Sequence, residues 1–215
     1  MGLIKGLKKS GITSATPKNL LLGAGTIYKN LTWDTSNSTW KGTVLGATSG
    51  GNKFSLKPNI VVIDVDGAVV DTKGMTQKQG ETASLEINLV EMSVGALKMA
   101  MIGEEVSSEA TGFTKLATKA VIEDSDYLDN IAFVGFLADD TPIVIIMENS
   151  LCTSGLELSG KNKEATVIPV TFQPYADNSD DTSQDTLPVF IYYPTKANAE
   201  ASTGQSTQDQ VNAKE

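Results

Sequence analysis

The sequence predicts a mainly β, antiparallel domain carrying one α-helix, and three observations support that fold class. First, residues 130–137, 143–147, 151–158 and 164–173 are short runs rich in apolar and β-branched residues. Clusters of Asp, Asn, Gly and Pro only a few residues long separate them, and turns that short can only reverse the chain. Second, Ala83, Leu85, Ile87 and Leu89 alternate with Ser84, Glu86 and Asn88, the period-two signature of a half-buried strand. Third, one stretch alone carries a full set of helix signals. Ser93 can cap it, 94–102 form its body, and Gly103 is placed to supply a left-handed stop.

Taken in order, residues 1–19 show no sustained period and read as an arm. The start is basic but leads into no apolar signal region, and position 6 is Gly, which does not fit the myristoylation pattern. A soluble chain made in a cytoplasm is the expectation. Residues 20–31 read as a strand interrupted at Gly23 and Gly25, as at a bulge. Residues 32–51 read as a long polar loop holding both tryptophans, Trp33 and Trp40. Loops of about 20 residues are uncommon in compact domains, and tryptophans need somewhere to bury. Residues 54–56 and 60–65 are expected strands flanking Pro58. Lys98 is the only charge in the helix, so the helix is expected to be buried on most sides. Residues 113–122 fit both periods, and the threonines assign them to a strand.

In the 130–173 block, the second run has no polar residue on either face and suits a strand between two layers. Leu156 and Leu158 alternate with Gly155, Glu157 and Ser159, predicting a strand dry on one side. Residues 177–185 form an acidic loop, 188–193 a last short strand ended by Pro194, and 195–215 a polar tail expected to be mobile in the isolated chain. The organisation is thus an arm (1–19), a β domain (20–194) and a tail (195–215).

Composition excludes several chemistries. The 215 residues contain no histidine and no arginine, all 17 basic residues being lysine, and the net charge is −9. Ser-His-Asp and Cys-His catalysis and His-ligated metal sites are therefore absent. A carboxylate site for calcium or magnesium is the only metal chemistry left. Without arginine forks, and with this charge, gripping nucleic acid is disfavoured. The single cysteine, Cys152, forms no internal disulfide and reads as a core residue. No apolar run reaches the roughly 18 residues of a membrane helix.

Three motifs bear on function. Residues 60–67, an apolar strand ending in Asp64-Val-Asp66-Gly67, resemble the first motif of haloacid-dehalogenase phosphatases, where the first Asp attacks phosphorus and both hold magnesium. That fold needs a parallel sheet wrapped by helices, and a strand running into an Asp-Gly turn is the plainer reading. In 46–53 the lysine does not follow the last glycine directly, so P-loop spacing fails. The aspartates of 177–185 read as a solvated turn rather than a calcium loop. No catalytic constellation, cofactor site or metal site emerges.

The order of segments is informative as a whole. Residues 20–28 (LLLGAGTIY), 45–51 (LGATSGG) with Phe54, and Asp66-Gly67 with Lys73-Gly74 come first. The 83–91 strand then feeds the helix, followed by 122–128 (IEDSDYL), 142–146 (PIVII), 151–158 (LCTSGLEL), 167–172, Pro188 and Tyr192-Tyr193-Pro194. This series, over about 18–194, resembles the major tail tube proteins of long-tailed bacteriophages and prophages of Gram-positive bacteria. The resemblance implies an antiparallel β-sandwich or split barrel with one flanking helix. It implies a structural virion protein rather than an enzyme, forming homo-hexameric rings stacked into a hollow phage tail tube through which DNA passes without specific binding. It also implies a tape measure protein, a tail terminator and baseplate or distal tail proteins as partners, and assembly in the host cytoplasm. In that family a long hairpin loop reaches the neighbouring ring. Residues 32–51 match its position, making Trp33, Trp40, Leu45 and Phe54 interface candidates. Ser84, Glu86 and Asn88, opposite the apolar face of their strand, are lumen candidates. A β-sandwich module binding carbohydrate or a cell surface through Trp33 and Trp40 is the alternative from another class, and a magnesium phosphatase using Asp64 and Asp66 is a third reading.

Overall fold

The computed structural model describes residues 10–160, 162–178 and 184–194. The far end of the arm, the middle of the acidic loop and the tail from 195 lie outside the described residues. Ten strands and one α-helix follow in chain order: β1 (Leu21–Asp34), β2 (Thr39–Val44), β3 (Lys53–Val62), β4 (Thr76–Leu89), α1 (Val94–Met101), β5 (Gly103–Val106), β6 (Lys115–Thr118), β7 (Leu128–Leu137), β8 (Pro142–Cys152), β9 (Ile168–Pro174) and β10 (Val189–Tyr192). The fold is mainly β with one helix, as the sequence predicts. Its main sheet is antiparallel throughout, in the order β2-β1-β7-β8-β9-β4-β3, with β10 added to β8; β5 and β6 form a separate ribbon.

Chain connectivity rolls this sheet up. Its two ends, β2 and β3, are consecutive in sequence, and the segment between them bridges β1 to β4. Leu45 N–H donates to Ile27 O at 2.9 Å, while Ser49 N–H donates to Asn88 O and Val90 N–H to Ala47 O, each at 2.9 Å. The result is a curled, split-barrel sheet. Inside it, Ile27 of β1, Leu85, Ile87 and Leu89 of β4, Ile131 of β7, Met147 of β8 and Ile168 and Phe172 of β9 are all at most 1 % exposed. Burying each such side chain contributes about 1.5–3 kcal/mol, which makes the alternation of β4 the main anchor of the core. Gly25 lets β1 close over that core: its φ is +71°, and a Cβ there would lie 2.3 Å from the Phe133 ring.

Several expectations need correction. Residues 32–51 are not a loop of about 20 residues but largely a β-hairpin, in which Trp33 and Trp40 are directly paired partners. The second and third runs of the 130–173 block do not reverse at 148–150. They form one strand, β8, because its pairing with β7 continues in register to Leu128 opposite Ser150. Asn149, at φ +47°, marks where β8 changes partner, from β10 at Val144–Met147 to β9 at Ser150–Cys152. Leu156 and Leu158 therefore fall beyond the strand end, 37 % and 50 % exposed, rather than on a dry strand face.

Pro58 does not split its region, since β3 runs through it with a register shift between Pro58 and Ile60. The helix is capped as predicted, Ser93 Oγ accepting from Ala96 N–H at 3.1 Å. Its left-handed stop is Ile102 (φ +47°), because Gly103 already belongs to β5. Only Ala96 and Ala100 of α1 are fully buried, so the helix lies on the core with one face rather than inside it. Of 113–122, only Lys115–Thr118 is strand.

Candidate functional site

Antiparallel partners share a sheet face, so the registers identify every side chain on the outer surface of β2-β1-β7-β8-β10. Phe136, Val134 and Ala132 of β7 lie there, facing Pro142, Val144 and Ile146 of β8. Leu22, Thr26 and Tyr28 of β1 are paired to that row from one side. From the other side Phe190 and Tyr192 of β10 pair with Ile146 and Val144. None of these residues carries a charge, although the chain has 43 charged residues, 17 basic and 26 acidic. Glu148, opposite Asn130, is the charge at the rim. The middle of this face is covered, Ala132, Val144 and Ile146 being at most 4 % exposed, while Leu22, Phe136, Phe190 and Tyr192 around it are about half exposed and bring no charge to the surface.

The β1–β2 hairpin folds its aromatic side onto the same face. Ile27 lies in the inner core and Leu31 in the outer cluster with Ala132, Val144 and Ile146. Four residues apart, they would share a face in a regular strand. Asn30 (φ +54°) and the register shift between Lys29 and Thr32 reverse that parity. Asn130, 6 % exposed, fixes the switch with its amide. Its Oδ1 accepts from Leu31 N–H at 2.8 Å and its Nδ2 donates to Leu31 O at 3.2 Å.

Gly42 leaves room for Leu31 on the neighbouring strand, since a Cβ there would lie 2.8 Å from Leu31 Cδ1. Trp40 then meets Trp33 edge to face at 5.2 Å and Tyr192 of β10 at 5.0 Å. At the hairpin turn, a hydrogen bond from Lys41, reinforced by Asn37 and the Ser36 and Asn37 backbone N–H groups, holds the Asp34 carboxyl down at about 2.

The structure places the other predicted residues differently from one another. Trp33 is 46 % exposed, whereas Trp40 is mostly covered. Leu45 and Phe54 are half-buried and pack on the inner core, so they present little to a partner. Ser84, Glu86 and Asn88 do lie on the outward face of β4, beside β3. Glu86 accepts from Lys53 at 2.7 Å, and Asn88 Nδ2 donates to Gly51 O at 3.2 Å, lining a shallow groove of about 340 Å³ with Gly50 and Thr171.

Asp64 and Asp66 are exposed in the loop that ends the β3–β4 hairpin, on an antiparallel sheet rather than at the end of a parallel strand. Among the described residues no group of three or more Asp, Glu or Cys could hold a metal. The same loop exposes Val69 and Val70, at 96 % and 78 %. No helix among the described residues is long and apolar enough to cross a membrane.

Compared with known proteins, the chain matches no family model, and no curated protein matches it.

Sequence reasoning missed the charge-free face. The signal was available in the apolar runs at 131–137, 142–147 and 189–192, but which side of each run faces outward depends on their pairing.

Proposed function

We propose that this chain is a structural virion protein that self-assembles into stacked hexameric rings, the hollow tail tube of a long-tailed phage or prophage. The reading comes from the order of segments described above, and one structural observation supports it most. The fold ends its longest hairpin, β3–β4, in a loop that holds Val69 and Val70 almost wholly in solvent. Exposed apolar residues at the tip of a long hairpin suit a contact with another copy. This hairpin fits the ring-to-ring role better than 32–51, which folds back on its own sheet. The outer edges of β2, β3 and β10 have no strand partner among the described residues, and pairing between copies would cover such edges. Partners in this reading are further copies of the chain and, by resemblance, tape measure, terminator and baseplate proteins.

DNA would pass without adhering, because six copies at −9 repel a polyanion. The outward Ser84, Glu86 and Asn88 remain the lumen candidates. The alternatives draw less support. Trp40 is held edge to face between Trp33 and Tyr192, which leaves only Trp33 exposed to a sugar, and Asp64 and Asp66 lack the parallel sheet of the phosphatase reading.

Electron microscopy of the purified protein over a concentration series tests the proposal. Rings or tubes with sixfold end views are expected. Particles of one chain's size at every concentration, with and without the tail-initiator proteins of the same particle, would overturn it.

A further inference from the structure

We infer that the charge-free outer face of β1, β7, β8 and β10 is a contact surface for a second copy of this chain. The inference rests on the self-assembly reading and adds to it the surface that is used. Trp33, Phe136, Phe190 and Tyr192 are 46 %, 47 %, 46 % and 49 % exposed, and Leu22, paired with Phe136, is 55 % exposed. About half of a large side chain's area from each gives roughly 400–500 Å² of apolar surface. That is the size of the largest apolar patch on a typical monomer, which is often functional, and it covers roughly half of a standard contact of about 800 Å² per partner. The aromatic composition is that of an interface core, where charges are depleted.

Charge selects the occupant. Two copies at −9 meeting through most of their surfaces bring carboxylates together, whereas this face lets them meet with Glu148 at the rim as its one carboxylate. A basic partner, by contrast, would find no carboxylate here apart from the rim residue Glu148. Contact between copies through this face therefore strengthens as salt screens the repulsion between the rest of the two surfaces.

The test is the double variant Phe136→Lys, Phe190→Lys beside the unaltered chain. Both are followed by sedimentation and electron microscopy at about 0.05 and about 0.5 M salt, conditions that change the screening length severalfold. Both side chains are half in solvent, so circular dichroism and the unfolding midpoint should stay close to those of the parent. The unaltered chain should associate more strongly at the higher salt, and the variant should weaken association at least about a hundredfold, as loss of two interface anchors does. A parent chain that assembles while the variant assembles equally well overturns this surface and leaves the tube reading standing. Association that weakens with salt also overturns it, in favour of a charged contact. A parent that never associates, with or without the tail-initiator proteins, overturns both.

Discussion

Asn130 is the residue through which the chain converts one strand into two differently facing halves, and replacing it should have a large and specific effect. Its amide is the hydrogen-bond partner of both backbone groups of Leu31, at 2.8 and 3.2 Å, in a place where Asn130 is 6 % and Leu31 3 % exposed. Asn130→Ala leaves a buried N–H and a buried C=O without partners. Each such group costs about 1–3 kcal/mol, so a total loss of about 2–4 kcal/mol is expected after partial relaxation. For a domain of this size that lowers the unfolding midpoint by roughly 5–15 °C.

Asn130→Asp separates the two bonds. Its carboxylate keeps the acceptor for Leu31 N–H but sets an oxygen against Leu31 O. Burial and that oxygen both disfavour the charged form, so the folded pKa of the new acid is raised. A group raised in the folded state contributes stability that is fully present below its unfolded value, about 3.9, and lost as pH rises through the folded value. The aspartate variant should therefore recover toward the parent at about pH 4, when the protonated carboxyl can donate to Leu31 O, while the alanine variant should not.

Urea unfolding followed by tryptophan fluorescence and by circular dichroism is the assay. Because Trp33 and Trp40 sit on the hairpin that Asn130 fixes, the alanine variant should redden tryptophan emission before the sheet signal changes. A stability within about 0.5 kcal/mol of the parent for Asn130→Ala would refute the reasoning, because the two buried groups would then have found other partners.

Two further substitutions check separate parts of the structure. Gly42→Ala puts a methyl 2.8 Å from Leu31 Cδ1 and 3.0 Å from Leu31 Cα. The second of these is backbone that cannot swing aside, so a loss of about 1–3 kcal/mol in urea unfolding is expected, and a neutral result would mean that the hairpin strands separate freely. Lys119 bonds Glu123 and Asp126, each at 2.8 Å. Burial pushes the Asp126 carboxyl up, but the Lys119 hydrogen bond, the Glu123 backbone N–H and the charges of Lys119 and Lys98 bring it below the ordinary value. That contribution is present above the ordinary carboxylate range and lost as pH falls through the lowered value. Lys119→Met should therefore lower the unfolding midpoint at about pH 7, and the gap to the parent should narrow as pH falls toward about 3. A gap independent of pH would mean that the lysine acts through its alkyl chain alone.

Much of the fold was legible because its causes are local. The alternation at 83–89, the Ser93 cap, the glycines at 23 and 25 and the final strand ended by Pro194 all depend on near neighbours. The failures share one physical reason. Glu148-Asn149-Ser150 resembles a turn, yet the chain does not reverse there because β7 pairs with both sides of it, and nothing within a few residues reveals that partner. Residues 32–51 looked like loop because Thr, Ser, Asn and Gly dominate, while the pairing of Trp33 with Trp40 holds them as a hairpin. Of the candidate contact residues, Trp33 is exposed, but Leu45 and Phe54 are engaged by the core, a difference that their similar apolar chemistry does not record.

By itself, the sequence determined the class of structure and the chemistry it lacks. Period-two apolar runs with short turns allow little but antiparallel sheet, and a chain without histidine or arginine leaves few catalytic or nucleic-acid-binding options. Only the tertiary structure decided which side of those runs is covered. Leu31 turns outward because Asn130, 99 residues later, binds its backbone, and β8 divides its edge between β9 and β10. Pairing across such distances is set by the packing of the whole sheet, and that packing leaves one face free of charge.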